Sequence, residues 1–121
     1  MASELTYGFT AAYSKTGYGS LSKLVGSQAI TISGGKTIES EQSIGTSEAT
    51  VNKGDLSNIG WVIVENLAAT NYLELFVTSS GTACARIAAG TTSPPIPVYC
   101  TTLYAKGNTV AQLCKFTLIE Q

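Results

Sequence analysis

The residues of this chain that could do chemistry are few, and their types close several reaction classes. Among its 121 residues there is no histidine, which removes the usual general base, the Ser-His-Asp and Cys-His arrangements, and the commonest metal ligand. Asp55 is the one aspartate, and Lys53-Gly54-Asp55-Leu56 around it reads as a turn. Paired carboxylates for glycoside hydrolysis would have to be glutamates. Glu39 and Glu41 stand two apart, a spacing that puts both on one face of a strand about 7 Å apart. They read as a solvated face opposite Ile38. Glu65 and Glu74 flank the turn from Asn66 to Asn71 and are expected to face each other across a hairpin, as rim residues rather than an acid and a base. Serines and lysines are plentiful, but no spacing sets a nucleophile beside a base. Cys84, Cys100 and Cys114 are odd in number and form no CxxC pair, so they read as buried, reduced thiols of a protein made in a reducing cytoplasm. Gly17-Tyr18-Gly19 lacks the strand–loop–helix context of a phosphate loop, and a single aspartate argues against a calcium site. No catalytic, cofactor-binding or metal-binding residue is assigned, and the chain reads as non-enzymatic.

Charge narrows the partners further. Seven basic residues against eight acidic ones give a formal net charge of −1. The lysines are scattered, and Arg86 is the only arginine, so the concentrated positive patch that phosphate backbones require is missing. No apolar run approaches the ~18–20 residues of a membrane-spanning helix, and Met1-Ala2-Ser3-Glu4 lacks the basic and apolar regions of a signal peptide. Nucleic acid and membrane are therefore not expected as partners. Only 12% of the residues are charged while 44% are hydrophobic, about half the usual charged share. A surface of hydroxyls and small side chains fits a protein largely covered by neighbours.

The elements that must position these residues are strands. Tyr7, Phe9, Ala11 and Tyr13 alternate with small or polar residues, the period of two of a half-buried strand. Ile30-Thr31-Ile32 stops at Gly34-Gly35, and a polar strand resumes from Lys36 to Ile44. Trp61 to Leu67, Tyr72 to Val77, Thr82 to Ala88, Val98 to Ala105 and Val110 to Ile119 follow, separated by Gly, Asn, Ser and Pro. No segment carries a helical apolar stripe. The pattern predicts an all-β fold, an antiparallel β-sandwich, jelly-roll-like, of about eight short strands; it would also serve a barrel. Trp61, Ile63, Leu73, Leu75, Phe116 and Leu118 are the expected core. Residues 1–20 form either a first strand or an N-terminal arm that packs on a neighbour, with residues 21–121 as the sandwich body. Tyr7, Phe9, Tyr13 and Tyr18 are the candidate interface residues, because aromatic side chains anchor interfaces; for Phe9 the core is an equal alternative.

Residues 45–121 carry a resemblance. The run Gly45-Thr46-Ser47-Glu48-Ala49-Thr50 leads to Gly60-Trp61-Val62-Ile63-Val64-Glu65-Asn66-Leu67 and then Ala69-Thr70-Asn71-Tyr72-Leu73-Glu74-Leu75. Arg86, a bend with prolines, Leu103-Tyr104-Ala105-Lys106-Gly107 and a last strand closing at Glu120 complete it. This resembles small virion structural proteins of tailed bacteriophages, among them capsid decoration (cement) proteins and neck and tail components. The resemblance implies a virion protein made in the host bacterial cytoplasm, with the major capsid protein or other virion proteins as partners and a homo-oligomer, a trimer in the cement case. Low charge, small size and an N-terminal arm fit capsid cement somewhat better than neck or tail. A carbohydrate-binding module on the same scaffold, with Trp61 or the tyrosines as stacking platforms, is the competing reading from a different class.

Overall fold

The computed structural model of the protein describes residues 5–17, 19–32 and 34–121. The chain divides into two compact units between Ile32 and Ser33, and among the described residues every regular element is a strand.

The first unit is a hairpin of β1 (Leu5–Lys15) and β2 (Gly19–Ile30). Its turn uses Gly17 and Gly19 at φ 86° and 83°, left-handed conformations that glycine adopts without steric cost. Tyr7 pairs with Gln28 and Phe9 with Val25, so two steps along β1 match three along β2. The bulge falls at Gly26-Ser27, and Gly8 crosses it closely: a Cβ there would lie 3.1 Å from the Val25 carbonyl oxygen. An extra residue reverses the side-chain parity of the strand that carries it. Gln28 and Ile30 on one side of the bulge therefore share a face with Val25, Lys23 and Leu21 on the other. The expected boundary at residue 20 thus differs from the observed one, because residues 21–30 pair with β1 and belong to neither sheet of the body.

The second unit holds β3 (Thr37–Ile44), β4 (Ala49–Thr50), β5 (Ile59–Asn66), β6 (Leu73–Phe76), β7 (Ala85–Ile87), β8 (Ile96–Cys100), β9 (Tyr104–Gly107) and β10 (Gln112–Glu120). They form two four-stranded antiparallel sheets, ordered β3-β10-β5-β8 and β4-β9-β6-β7. The pairing is nested: β3 with β10, β4 with β9, β5 with β8 and β6 with β7. Together these are the register of one long hairpin rolled up on itself. Both sheets contribute to one core, with Ile44, Val62, Val64, Phe116 and Leu118 from the first and Leu73, Leu75, Ile87 and Ala105 from the second. Among the described residues no ladder joins the two sheets, so the body is a two-sheet sandwich.

Strand β10 shows why the sheet forms. Gln112, Cys114, Phe116, Leu118 and Glu120 are buried, and Leu113, Lys115, Thr117 and Ile119 point the other way. Strand β5 corrects an expectation. Its run Trp61-Val62-Ile63-Val64 is continuously apolar, so alternation cannot choose the inner face. The register chooses it: Val62 pairs with Leu118 and Val64 with Phe116, which sends Trp61 and Ile63 to the outer face, where both are half-buried. A bulge at Gly60, where Ile119 pairs with Trp61 but Glu120 with Ile59, returns Ile59 to the core. Leu73, Leu75, Phe116 and Leu118 are fully buried as expected.

Candidate interaction surface

The hairpin's parity reset builds a surface. One of its faces collects Leu5, Tyr7, Phe9, Ala11 and Tyr13 from β1 with Ile30, Val25 and Leu21 from β2, and the basic Lys23 and Lys15 toward the tip. The opposite face carries Thr6, Thr10, Ala12, Ser14, Ser20, Ser22 and Ala29, with Leu24 as its one large apolar side chain. Phe9 is 41% exposed, Tyr13 51% and Leu21 67%. Exposed aromatic and aliphatic groups gathered on one face make it a candidate interaction surface. Of the four aromatic residues singled out from the sequence, Tyr7, Phe9 and Tyr13 share this face; Tyr18 lies outside the described residues. Leu21, Val25 and Lys23 were missed, since their membership depends on a bulge to which only the Gly8–Gly26 crossing corresponds.

The outer face of the β3-β10-β5-β8 sheet is a second surface. Cross-strand pairing places Thr117 between Glu39 and Ile63, and Lys115 between Glu41 and Glu65. The Thr117 hydroxyl donates to Glu39 Oε2 at 2.9 Å. A shallow groove runs through Glu39, Ile63, Glu65, Thr92, Lys115 and Thr117. Leu113 is exposed at one end, Trp61 and Ile119 are half-buried at the other, and Trp61 pairs with Pro97 of β8. Tyr99, next but one along, is at φ 40° in the bulged edge strand and 74% exposed. A large side chain in the left-handed region is strained, and this one projects an aromatic ring into solvent.

Two sequence expectations about reactive groups are corrected. Glu65 and Glu74 do not face each other, because β5 and β6 belong to different sheets; Glu74 instead pairs with Arg86 at 3.3 Å, whose guanidinium also lies 4.4 Å from the centre of the Tyr72 ring. The thiols are all free, but only Cys114 is buried; Cys100 is half-buried and Cys84 exposed. Cys84 stands one residue before β7 and shares the outward parity of the exposed Arg86, whereas Ala85 and Ile87 face the core. Burial pushes the Cys114 thiol up to about 11, which keeps it protonated and unreactive.

The buried polar groups hold the fold rather than a ligand. Asn66 and Gln112 are almost wholly buried. Asn66 Nδ2 donates to Asn71 O, Ile87 O and Gln112 Oε1 at 3.2, 3.0 and 3.2 Å, and its Oδ1 accepts from Ala68 N at 3.1 Å. Gln112 Nε2 donates to Tyr72 O at 2.8 Å. Together they tie the turn after β5 to β10, with Asn71 at φ 75°. Glu120 does the same at the other end: its carboxylate accepts from Ser57 N, Ser57 Oγ and Gly35 N at 3.0, 3.1 and 3.1 Å. Those donors hold it below the usual glutamate range, with Lys36 assisting. A Cβ at Gly34 would come within 2.6 Å of the Glu120 side chain, so the close approach requires glycine there. Among the described residues no group of three or more Cys, Asp or Glu is placed to hold a metal ion.

No known protein family, curated protein or solved structure matches the chain.

Proposed function

We propose that the chain is a non-enzymatic structural subunit of a tailed-phage virion, a capsid decoration protein that binds the major capsid protein on the outer shell as a trimer and stiffens it. The observation that carries this reading is the amphipathic hairpin, which gathers Tyr7, Phe9, Tyr13, Leu21 and Val25 on one exposed face outside the body's core. Such a face gains only when a neighbour covers it. The body supplies the rigid part. We read its nested eight-strand pairing as a jelly roll, an architecture common to viral capsid and lectin domains; fold alone does not choose between them, and the virion assignment rests on the sequence resemblance. Rigid bodies lose little entropy on docking, and a trimer engages several places at once.

The test is co-sedimentation with empty phage heads. The full-length protein is expected to pellet with heads, and Phe9→Ser with Tyr13→Ser is expected to stay in the supernatant while remaining folded. A protein that never pellets with heads ends the cement reading. Binding to isolated tails instead would move the subunit to the neck or tail. The outer-face position of Trp61, with Tyr99 exposed on the neighbouring strand β8, favours one second reading, a carbohydrate-stacking platform. Retention on a polysaccharide column that Trp61→Ala abolishes would support it.

A further inference from the structure

Two exposed faces of this protein have opposite charge and the same mixed apolar character. The hairpin face presents Phe9, Tyr13 and Leu21 with Lys23 and Lys15, and the described residues of that unit include no carboxylate. The outer face of the β3-β10-β5-β8 sheet presents Trp61, Ile63, Leu113 and Ile119 with Glu39, Glu41 and Glu65, against one lysine, Lys115. Strand β3 is also an edge strand, so its acidic residues are reachable from the side as well as from above.

We infer that the protein self-associates head to tail, the aromatic hairpin face of one copy docking on the acidic outer sheet face of a second copy, with Lys23 against Glu39 and Glu41. The choice among pairings follows from charge. Two hairpin faces brought together would oppose Lys23 to Lys23 with no carboxylate between them. Two sheet faces would oppose three glutamates to three. Only the crossed pairing sets a net positive face against a net negative one while burying apolar surface on both sides, and like-charge juxtaposition is strongly disfavoured at an interface. A contact between two different patches is heterologous, and it either closes into a ring or propagates as a filament. A three-membered ring would be the trimer invoked above, so the inference deepens that reading by naming its contact, but it concerns the isolated protein and is tested without any phage component.

Sedimentation equilibrium of the full-length chain over a range of concentrations, at low and high salt, measures it. The wild-type protein is expected to associate, more tightly at low salt because exposed charges are screened. Lys23→Glu and Glu41→Lys are each expected to weaken association by about tenfold, a change of about 1.4 kcal/mol, and their combination in one chain to recover most of the loss. Phe9→Ser is expected to weaken it at every salt concentration. All three positions are exposed, and circular dichroism checks that each variant keeps its fold. A monomer at all concentrations overturns the inference. So does association that Lys23→Glu weakens and Glu41→Lys does not, since the hairpin would then have another occupant, or a double variant no better than either single one. Association as described but without binding to heads would refute the capsid assignment and leave this contact standing.

Discussion

The hairpin and the sandwich are built from similar residues, yet they spend their apolar side chains in opposite ways. Strands β1 and β2 are the longest in the protein, at 11 and 12 residues, and leave Phe9, Tyr13, Leu21 and Leu24 exposed. The body's strands are shorter, and β6, with four residues, places Leu73, Leu75 and Phe76 in the interior. The difference lies in layering. A single two-stranded ribbon has no second layer and is marginal on its own in water, whereas two sheets facing each other bury both inner faces. Strand length and composition therefore do not make a core; an opposing sheet does.

The comparison would break first at Phe116. Phe116→Ala in the body is expected to cost about 3–5 kcal/mol of unfolding free energy, read from urea denaturation, while Phe9→Ala in the hairpin, measured at a concentration where the protein is monomeric, should fall within about 0.5 kcal/mol of wild type. Equal losses would mean that the hairpin has a core of its own.

A smaller effect is expected at the polar staple. Asn66→Ala strands the carbonyls of Asn71 and Ile87 and the side chain of Gln112 in a buried site, at a cost of about 1–3 kcal/mol. The exposed Gln28 of β2, whose side chain reaches the Gly26 carbonyl at 3.5 Å, should tolerate alanine with almost no change.

The smallest effect, and the one that locates where the body begins, is pH dependent. Glu120 grips Gly35 and Ser57 as a carboxylate, and its folded pKa lies below the unfolded one. Its contribution is therefore fully present above the unfolded value and is lost as pH falls through the folded value. Thermal unfolding followed from neutral pH to about pH 3 should show wild type losing stability over the acid part of that range, with Glu120→Gln less stable at neutral pH and flatter below it. Parallel curves for the two proteins would show that the carboxylate does not clamp the start of the body to its last strand.

Much of the fold was legible because strand alternation is a local signal. The period of two in Gln112 to Glu120 and in Tyr7 to Tyr13 marks these strands and their faces before any contact is known, and the Gly and Asn turns mark where they end. Where alternation fails, the faces were misread: Trp61 and Ile63 sit in a continuous apolar run, and only pairing with β10 shows that they point outward. The three thiols were read alike, although Cys84 shares the outward parity of Arg86, Cys114 the inward parity of Phe116, and Cys100 ends the edge strand β8.

By itself, then, the sequence determined the all-β class, most strand positions and the lack of histidine chemistry, because each of these depends on residues near one another along the chain or on composition alone; the run Val98 to Ala105, read as one strand, is divided between β8 and β9 in different sheets. Three features were decided only in the tertiary structure: the nested pairing of eight strands into two sheets, the bulges at Gly60 and Gly26-Ser27, and the gathering of Lys23 with Phe9 and Tyr13. Each depends on which strand lies beside which and in what register. A one-residue change of register sends every side chain beyond it to the other face, and residues separated by most of the chain, such as Gly35 and Glu120, set that register through hydrogen bonds that no local pattern encodes.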